Sequence, residues 1–463
     1  MPSAYTPTGL AVCEHCDQAC QVPALARGQV ARCPRCQFEL LRHGRWGASE
    51  MLAVCITAIV AFVLANLYPL ITLEVQGMTR HASLLGAIGV TWHQPGLWGV
   101  ALMSLLTAFM LPLVQLLLLL ALLLMVQGRR LPAGFVWATH CLKWFRPWSM
   151  VPVFVLGVLV AVIKIAALAK IIIGVGLWAM AALVVLLTIL HRLDARTIWR
   201  YAELRGITQT SLGASKQMAQ PQALLGCELC GFVHQHSGPA TAVSCRCPRC
   251  NTVVHARKPN SLARTWAYLV TALLLYVPAN VLPIMRTTSV FSVSEHTILG
   301  GVVELWRGGA PDIALVVFVA SIAVPLLKFG ALIVLLLAAR QAQLGRLHSS
   351  SSQRSLIQDQ QLRTKLYRFI EFIGQWSMLD VFVVLLLAAL VNFQGLMQVT
   401  AGLGAIAFGL TVSLTMLSAM SFDPRLIWDG IADPHGKPVA NPVVATSRAA
   451  TVPAAAEPGE FHA

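Results

Sequence analysis

The sequence predicts an all-α integral membrane protein with eight transmembrane helices in two tandem four-helix units, each preceded by a small cysteine-rich ribbon. Three observations carry that prediction. Of 463 residues, 57% are hydrophobic and only 11% charged, and the mean hydropathy is +0.70. A soluble domain carries about 25% charged residues, so apolar surface must face lipid. Second, eight apolar stretches approach the roughly 20 residues that cross a ~30 Å hydrocarbon core. Third, four motifs recur at one offset of 214 residues. An ordinary cytosolic enzyme and a disordered chain are excluded. The net charge of +15 then reads as the basic side of a membrane protein, with no nucleic-acid partner.

The first fifty residues carry Arg, His and cysteine knuckles before any apolar run, which predicts a folded element rather than a signal peptide. The spans are expected at 51–71, 98–126, 149–171, 174–191, 263–284, 313–339, 376–397 and 400–420. Pro112 and Pro325 fall inside two of them, which membrane helices tolerate when neighbours satisfy the freed backbone. Arg27, Arg32, Arg35, Arg42 and Arg45 precede the first span. Arg129, Arg130, Lys143 and Arg146 follow the second, and Arg340, Arg346, Arg354, Arg363, Lys365 and Arg368 follow the sixth. The loop 72–97 holds only Arg80, and 285–312 balances Arg286 and Arg307 against three acids. Basic loops stay cytoplasmic, so both termini and the segment 192–262 are expected there.

Cys13-Glu14-His15-Cys16 recurs as Cys227-Glu228-Leu229-Cys230, and Cys33-Pro34-Arg35-Cys36 as Cys247-Pro248-Arg249-Cys250. Asn66-Leu67-Tyr68-Pro69 recurs as Asn280-Val281-Leu282-Pro283, and Ser83-Leu84-Leu85-Gly86 as Thr297-Ile298-Leu299-Gly300. Trp148-Ser149-Met150 returns as Trp376-Ser377-Met378 at offset 228, the extra residues falling in the Ser/Gln-rich loop 341–362. Four spans per unit keep both units in one orientation, a parallel repeat. The expected division is ribbon 10–46, membrane unit 47–192, linker 193–220, ribbon 221–258, membrane unit 259–421 and a largely disordered tail 422–463.

Each ribbon has two C-x2-C knuckles separated by 16 residues, the spacing of a four-thiolate zinc site. Cys13, Cys16, Cys33 and Cys36 would hold one ion, and Cys227, Cys230, Cys247 and Cys250 a second. A reducing cytoplasm disfavours disulfides. Zinc is the first reading and rubredoxin-like iron the alternative, because the ligand set alone does not separate them. A full shell leaves no open coordination position, so the sites read as structural. Cys20 and Cys245 are extras, and Cys55 and Cys141 read as plain membrane or loop residues.

Two tandem units of ribbon plus four spans, with Asn-x-x-Pro ending the first span and Trp-Ser-Met opening the third, resemble the paraquat-inducible protein A family. The resemblance covers about residues 10–430. It implies a Gram-negative inner-membrane protein. It also implies a periplasmic MCE-domain partner of the PqiB/LetB kind and movement of phospholipid through that partner's tunnel toward the outer membrane.

Ionisable groups inside spans are functional candidates because they are expensive there. Lys328 lies in span six, with Ser321 two turns before it on the same face. Asp380 lies near the start of span seven, and Thr411, Thr415 and Ser418 form a stripe on span eight. A Lys328–Asp380 pair is expected, either gating or relaying protons, or clamping two spans. Unit one lacks it, since Gln115 matches Lys328 and Pro152 matches Asp380. Lys164 and Lys170 lie toward the outer end of span three, with Lys170 snorkelling. Asn66 and Asn280 are expected to satisfy backbone groups freed by Pro69 and Pro283.

In the outer loops, Thr72–Gln76 and Ser289–Val293 alternate at period two, which predicts short periplasmic strands. Ser83 and Thr297 read as N-caps of short helices that carry Trp92 and Trp306. The functional expectation is a non-enzymatic subunit of an MCE-type lipid transport system. No Walker A pattern occurs in the chain. The rival readings are a redox protein with iron sites and a scaffold that only anchors the tunnel.

Overall fold

The structure, a computed structural model, describes residues 9–44, 46–75, 78–93, 98–128, 130–166, 170–208, 223–236, 244–289, 293–309, 311–343, 353–374, 376–390, 397–429 and 444–445. The first ribbon is two hairpins, β1 (Gly9–Val12) with β2 (Ala19–Val22) and β3 (Val30–Arg32) with β4 (Glu39–Arg42). The first membrane unit opens with α1 (Ala48–Leu67), whose N-terminal Gly47 N–H is capped by Glu50 Oε2 at 3.0 Å. Strands β5 (Ile71–Val75) and β6 (Met78–Ala82) follow. Helix α2 (Leu84–Trp92) starts at Ser83, whose hydroxyl accepts from Gly86 N at 3.1 Å.

Span two is one helical run made of α3 (Trp98–Ser104), a π turn at Leu105–Met110 and α4 (Leu111–Gln127). Pro112, two residues beyond the π turn, cannot donate to the ladder, and the register widens just before it. The amphipathic α5 (Gly134–Phe145) buries Phe135, Ala138 and Leu142. Then come α6 (Val151–Ala166), β7 (Lys170–Ile173), α7 (Val175–Leu190) and the amphipathic α8 (Ala195–Leu204), capped by Asp194 on Thr197 N at 2.8 Å.

The second ribbon repeats the first with β8 (Ala223–Gly226), β9 (Val233–His236), β10 (Ser244–Arg246) and β11 (Val253–His255). Unit two contains α9 (Ser261–Val281), β12 (Met285–Ser289), β13 (Val293–His296) and α10 (Ile298–Arg307). Thr297 caps α10 on Gly300 N at 3.1 Å. Its second long run is α11 (Pro311–Phe318), a π turn at Val319–Ala323 and α12 (Val324–Gln343). After α13 (Gln353–Ile373) come a 3-10 turn at Trp376–Met378, α14 (Leu379–Leu390), β14 (Met397–Ala401), α15 (Leu403–Ser421) and a 3-10 turn at Pro424–Trp428. A two-residue β15 (Val444–Ala445) pairs parallel with β2.

The expectation of eight spans is met only in part. Among the described residues six helices or continuous runs are long and apolar enough to cross a bilayer, or seven if α7 and α8, bent by 60°, count as one. The ends of spans three and seven do not continue as helix. Lys170–Ile173 pairs with Ile71–Glu74, and Met397–Ala401 pairs with Met285–Ser289. Each unit therefore has a three-stranded antiparallel sheet, ordered β6-β5-β7 and β13-β12-β14. Lys170 is a strand residue opposite Glu74 rather than the last residue of a helix, and its side chain lies outside the described residues. The strand expected at Ser289–Val293 begins earlier, at Met285, and residues 290–292 lie outside the described residues.

The tail also departs from expectation. Residues 422–428 are not disordered, because Phe422, Ile427 and Trp428 are buried. Residues 430–443 and 446–463 lie outside the described residues.

The sheets join the helices through a close approach. Gly174 N donates to Leu70 O at 3.0 Å and Gly176 N to Pro69 O at 3.2 Å. In unit two, Gly402 N donates to Ile284 O at 2.7 Å and Gly404 N to Pro283 O at 3.2 Å. A Cβ at Gly174 or Gly402 would overlap the Pro69 or Pro283 carbonyl. Gly402→Ala should therefore destabilise the chain by about 1–3 kcal/mol, the usual cost of overpacking, measured as a lower thermal midpoint in detergent. An unchanged midpoint would show that the two backbones can separate freely.

The cores reveal a crossing. One buried cluster joins unit one to ribbon two, through Leu225, Leu229, Phe232 and Val254. Another joins unit two to ribbon one, through Leu40, Tyr367, Ile370 and Trp428. Each ribbon sits on the unit other than the one it precedes. The ribbons touch each other through Leu10, Val12, Ala19 and Val233. The membrane units meet along α6 and α14, where Phe154 and Phe382 stack edge to face at 5.5 Å.

Two candidate metal centres and a buried polar face

Each knuckle is a tight turn built the same way. Cys13 N donates to Gln18 O and Cys13 O accepts from Asp17 N, at 3.0 and 2.9 Å. Cys33, Cys227 and Cys247 make the same two bonds with Phe38 and Gln37, Phe232 and Gly231, and Thr252 and Asn251. The residue after each second cysteine is left-handed: Asp17, Gln37, Gly231 and Asn251 have φ of 61°, 60°, 71° and 57°. This bend turns two thiols of each knuckle toward one point.

The thiols converge as the spacing predicts. Cys13 and Cys36 Sγ lie 3.4 Å apart, and Cys16 and Cys33 3.5 Å. The matching pairs in ribbon two, Cys227–Cys250 and Cys230–Cys247, lie at 3.5 and 3.6 Å. All four sulfurs of each set fall within 4.8 Å of one another and are buried. Four sulfurs 2.3 Å from a central tetrahedral ion would sit about 3.8 Å apart, so each set fits a metal ion. Hydrogen bonds among the neighbouring thiols push Cys13 up, while those same neighbours donate to Cys33 and push it down. Four thiolates need a cation in place of the protons they would otherwise share. Cys20 is buried in ribbon one but stands outside the cluster of four, as does Cys245 in ribbon two.

Charged and aromatic groups seat the ribbons. Arg35, inside the second knuckle of ribbon one, stacks over Trp428 at 4.6 Å. Arg249, its repeat, stacks over Trp199 at 5.2 Å. Both tryptophans follow an isoleucine at the C-terminal end of a unit, Ile198-Trp199 and Ile427-Trp428. The sequence reading missed these seats, although the recurring Ile-Trp pair was the available signal. Glu14 pairs with Arg196. Glu228 pairs with Lys143 and Arg425, each at 3.1 Å. Burial opposes its charge, but Lys143 and Arg425 hold Glu228 down at about 2. Arg257 bridges Asp17 at 2.8 Å and Asp429 at 2.6 Å. Between two ligands, His15 packs on Phe38 at 4.0 Å. Burial first, and then Arg368 and Arg196, lower it to about 4 and keep its ring neutral.

The polar residues singled out in unit two are buried. Ser321, Lys328, Thr411 and Thr415 are at most 3% exposed. Lys328 Nζ donates to Thr415 Oγ1 at 2.7 Å, joining α12 to α15. Thr415 Oγ1 in turn donates to Val412 O at 2.7 Å. Ser321 Oγ lies in the π turn and bonds Val317 O, and Thr411 Oγ1 bonds Ala407 O, so neither joins Lys328 directly. Ser418 Oγ bonds Thr265 O at 3.0 Å, tying α15 to α9. Asp380 belongs to α14, and its side chain lies outside the described residues, as does that of Lys164.

Asn66 and Asn280 behave alike. Each side-chain amide donates to the carbonyl one turn back, Phe62 O and Tyr276 O, both at 2.8 Å. Those are not the carbonyls four residues before Pro69 and Pro283. The proline carbonyls instead receive the Gly176 and Gly404 N–H groups.

Gln115 in unit one is 1% exposed, and its Oε1 has no partner among the described residues. An unpaired buried acceptor costs about 1–3 kcal/mol. Gln115→Leu should therefore hold or raise the thermal midpoint and leave transport near wild type. A loss of function as severe as that of a Lys328 variant would move the working centre into unit one.

Comparison with known proteins gives the chain relatives along nearly its whole length. The family model described as "Paraquat-inducible protein A" matches residues 48–203 and 262–432, the two membrane units. "Intermembrane transport protein PqiA" of Escherichia coli (strain K12) is 36% identical over 428 residues, 90% of this chain and 95% of the relative. "Lipophilic envelope-spanning tunnel protein A" of the same strain is 31% identical over 422 residues, 90% of both chains. A "Probable intermembrane transport protein" of Haemophilus influenzae is 28% identical over 426 residues, 90% of this chain and 95% of the relative. No solved structure matches.

Proposed function

The chain belongs to the paraquat-inducible protein A family, and from that premise we propose that it is an inner-membrane subunit of a lipid transport system. It takes phospholipid between the inner membrane and a periplasmic MCE-domain tunnel that leads toward the outer membrane. Relatives named for intermembrane transport support the coarse reading and a non-enzymatic role. The observation that carries the reading is the buried polar face of unit two, where Lys328 meets Thr415 between two apolar helices. An ammonium has three donors, and holding one inside a bilayer is costly unless it works. The two three-stranded sheets are the surfaces offered to the tunnel. The metal in each four-cysteine cluster is zinc, held as structure. Visible absorbance from iron in purified protein would instead favour a redox role.

Photocrosslinkers placed along α12 and α15, followed by mass spectrometry of the captured species, should recover phospholipid. Capture only from the outer helix faces that any membrane protein shows to lipid would leave an anchor rather than a transporter. Both termini and residues 192–262 are cytoplasmic, a reading supported by their basic loops. Alkaline phosphatase fused after residue 230 should then be inactive, and an active fusion would reverse the orientation.

A further inference from the structure

A cavity of about 1230 Å³ lies between ribbon one, α8 and ribbon two. Six arginines line it against four carboxylates. Most of those charges are already matched. Arg196 holds Glu14, Arg42 holds Glu39, and Arg249 lies 3.5 Å from Glu203 and 2.6 Å from Thr208. Arg146 is spent on the ring and carbonyl of His191. Asp194 is spent capping α8. Arg200 goes further than Arg196 and Arg249, each of which leaves only its Nε unpaired: both its Nε and Nη1 are buried without a hydrogen-bond partner among the described residues, and Glu203 acts on it only through space. Arg196 and Arg200 lie four apart on α8, and Arg192, in the turn before it, lines the same cavity. Like charges at that spacing repel unless an anion sits among them.

Apolar residues line the cavity as well. Met51 in the first turn of α1 and Ile189 in the last turn of α7 line it, as does Trp46. Those are span ends, the level at which lipid headgroups lie. The cavity thus offers guanidinium groups beside hydrocarbon at one membrane boundary. A guanidinium matches a phosphate in planar, two-pronged geometry better than it matches any neutral group.

We propose that this cavity is a phosphate-binding site, anchored by Arg200 and Arg192, whose occupant is the phosphodiester headgroup of an anionic membrane lipid. The acyl end of that lipid rests on Met51 and Ile189. The site is separate from the Lys328 face, and it would bind whether or not the chain moves lipid. A soluble phosphate could use the same contacts, so the test has two arms.

The metal-loaded full chain in detergent is titrated with phosphatidylglycerol, with phosphatidylethanolamine and with inorganic phosphate, and bound lipid is read by native mass spectrometry. One phosphatidylglycerol should be retained in preference to phosphatidylethanolamine. Arg200→Gln should weaken that binding by about tenfold, the worth of one charge-assisted bond, while Arg200→Lys restores part of it. Arg192→Gln, at an exposed position, guards against misfolding of the first variant and should weaken binding in the same direction. Metal content should not change in any of them. Competition by millimolar inorganic phosphate, lost in Arg200→Gln, would keep the phosphate site but assign it to a soluble anion. Equal phosphatidylglycerol binding by wild type, Arg200→Gln and Arg192→Gln would overturn the proposal. Because binding is read without transport, a failure here leaves the transport reading untouched.

Discussion

Cys33→Ser should reduce the metal content from two ions per chain to one and loosen the second membrane unit, not the first. A structural zinc contributes about 10–16 kcal/mol to the fold of a small domain at neutral pH, so ribbon one should unfold without its ion. Its seat is on α13 and the turn at Pro424–Trp428. There Arg35 stacks on Trp428, Gln361 Nε2 donates to Arg35 O at 2.7 Å, and Arg368 covers Phe38 at 5.1 Å. Hydrogen exchange should rise across 353–373 and 422–428, while α5 and α8 stay protected. Cys247→Ser should give the mirror image, exposing Trp199 and α8. Two ions retained in Cys33→Ser would contradict the ligand set. Faster exchange in the first unit alone would contradict the crossed seating.

Lys328→Met should abolish transport and at the same time stabilise the protein. A buried ammonium with one described hydrogen-bond acceptor gains little against its desolvation. Even complete buried ion pairs, when replaced by apolar groups of similar volume, are often neutral or stabilising by about 1–4 kcal/mol, and a lone ammonium has less to lose. Methionine follows the same path as the lysine stem. A higher thermal midpoint, full metal loading and failed complementation of a lipid-barrier defect would together mark Lys328 as a working residue. Normal complementation would reduce it to a clamp between α12 and α15. Thr415→Val tests the acceptor. It leaves the ammonium unpaired, so it should lower the midpoint where Lys328→Met raises it, and transport should fall in both.

The parts of this fold that could be read from the residues are those set by short spacings. Each C-x2-C knuckle and the caps at Ser83 and Thr297 depend on residues within a few positions of one another, and the repeat is visible because such short motifs recur. The third strand of each sheet was hidden because Lys170-Ile171-Ile172-Ile173 continues an apolar stretch without a break. Only its run of β-branched side chains distinguishes it from helix, and the pairing partner, Ile71–Glu74, lies a hundred residues away. The close approach at Gly174 and Gly402 was invisible for the same reason, since a glycine beside an apolar stretch does not announce what it touches. The expectation for Lys328 rested on depth along the helix. Depth identifies a buried cation but not the rotation that brings it to Thr415 instead of another acceptor.

The crossed seating also governs how the chain can be made. Ribbon one leaves the ribosome early, yet the surface that receives it ends at Trp428, in the last described turn before β15. At about 5–20 residues per second, the intervening ~380 residues take about 20–80 s to synthesise. Through that interval ribbon one waits with Phe38 and Leu41, which pack on that seat, uncovered. Ribbon two faces no such delay, since Trp199 precedes it and is ready when it emerges. Assembly is therefore sequential from the middle outward, and the molecule closes only when its beginning is brought back to its end.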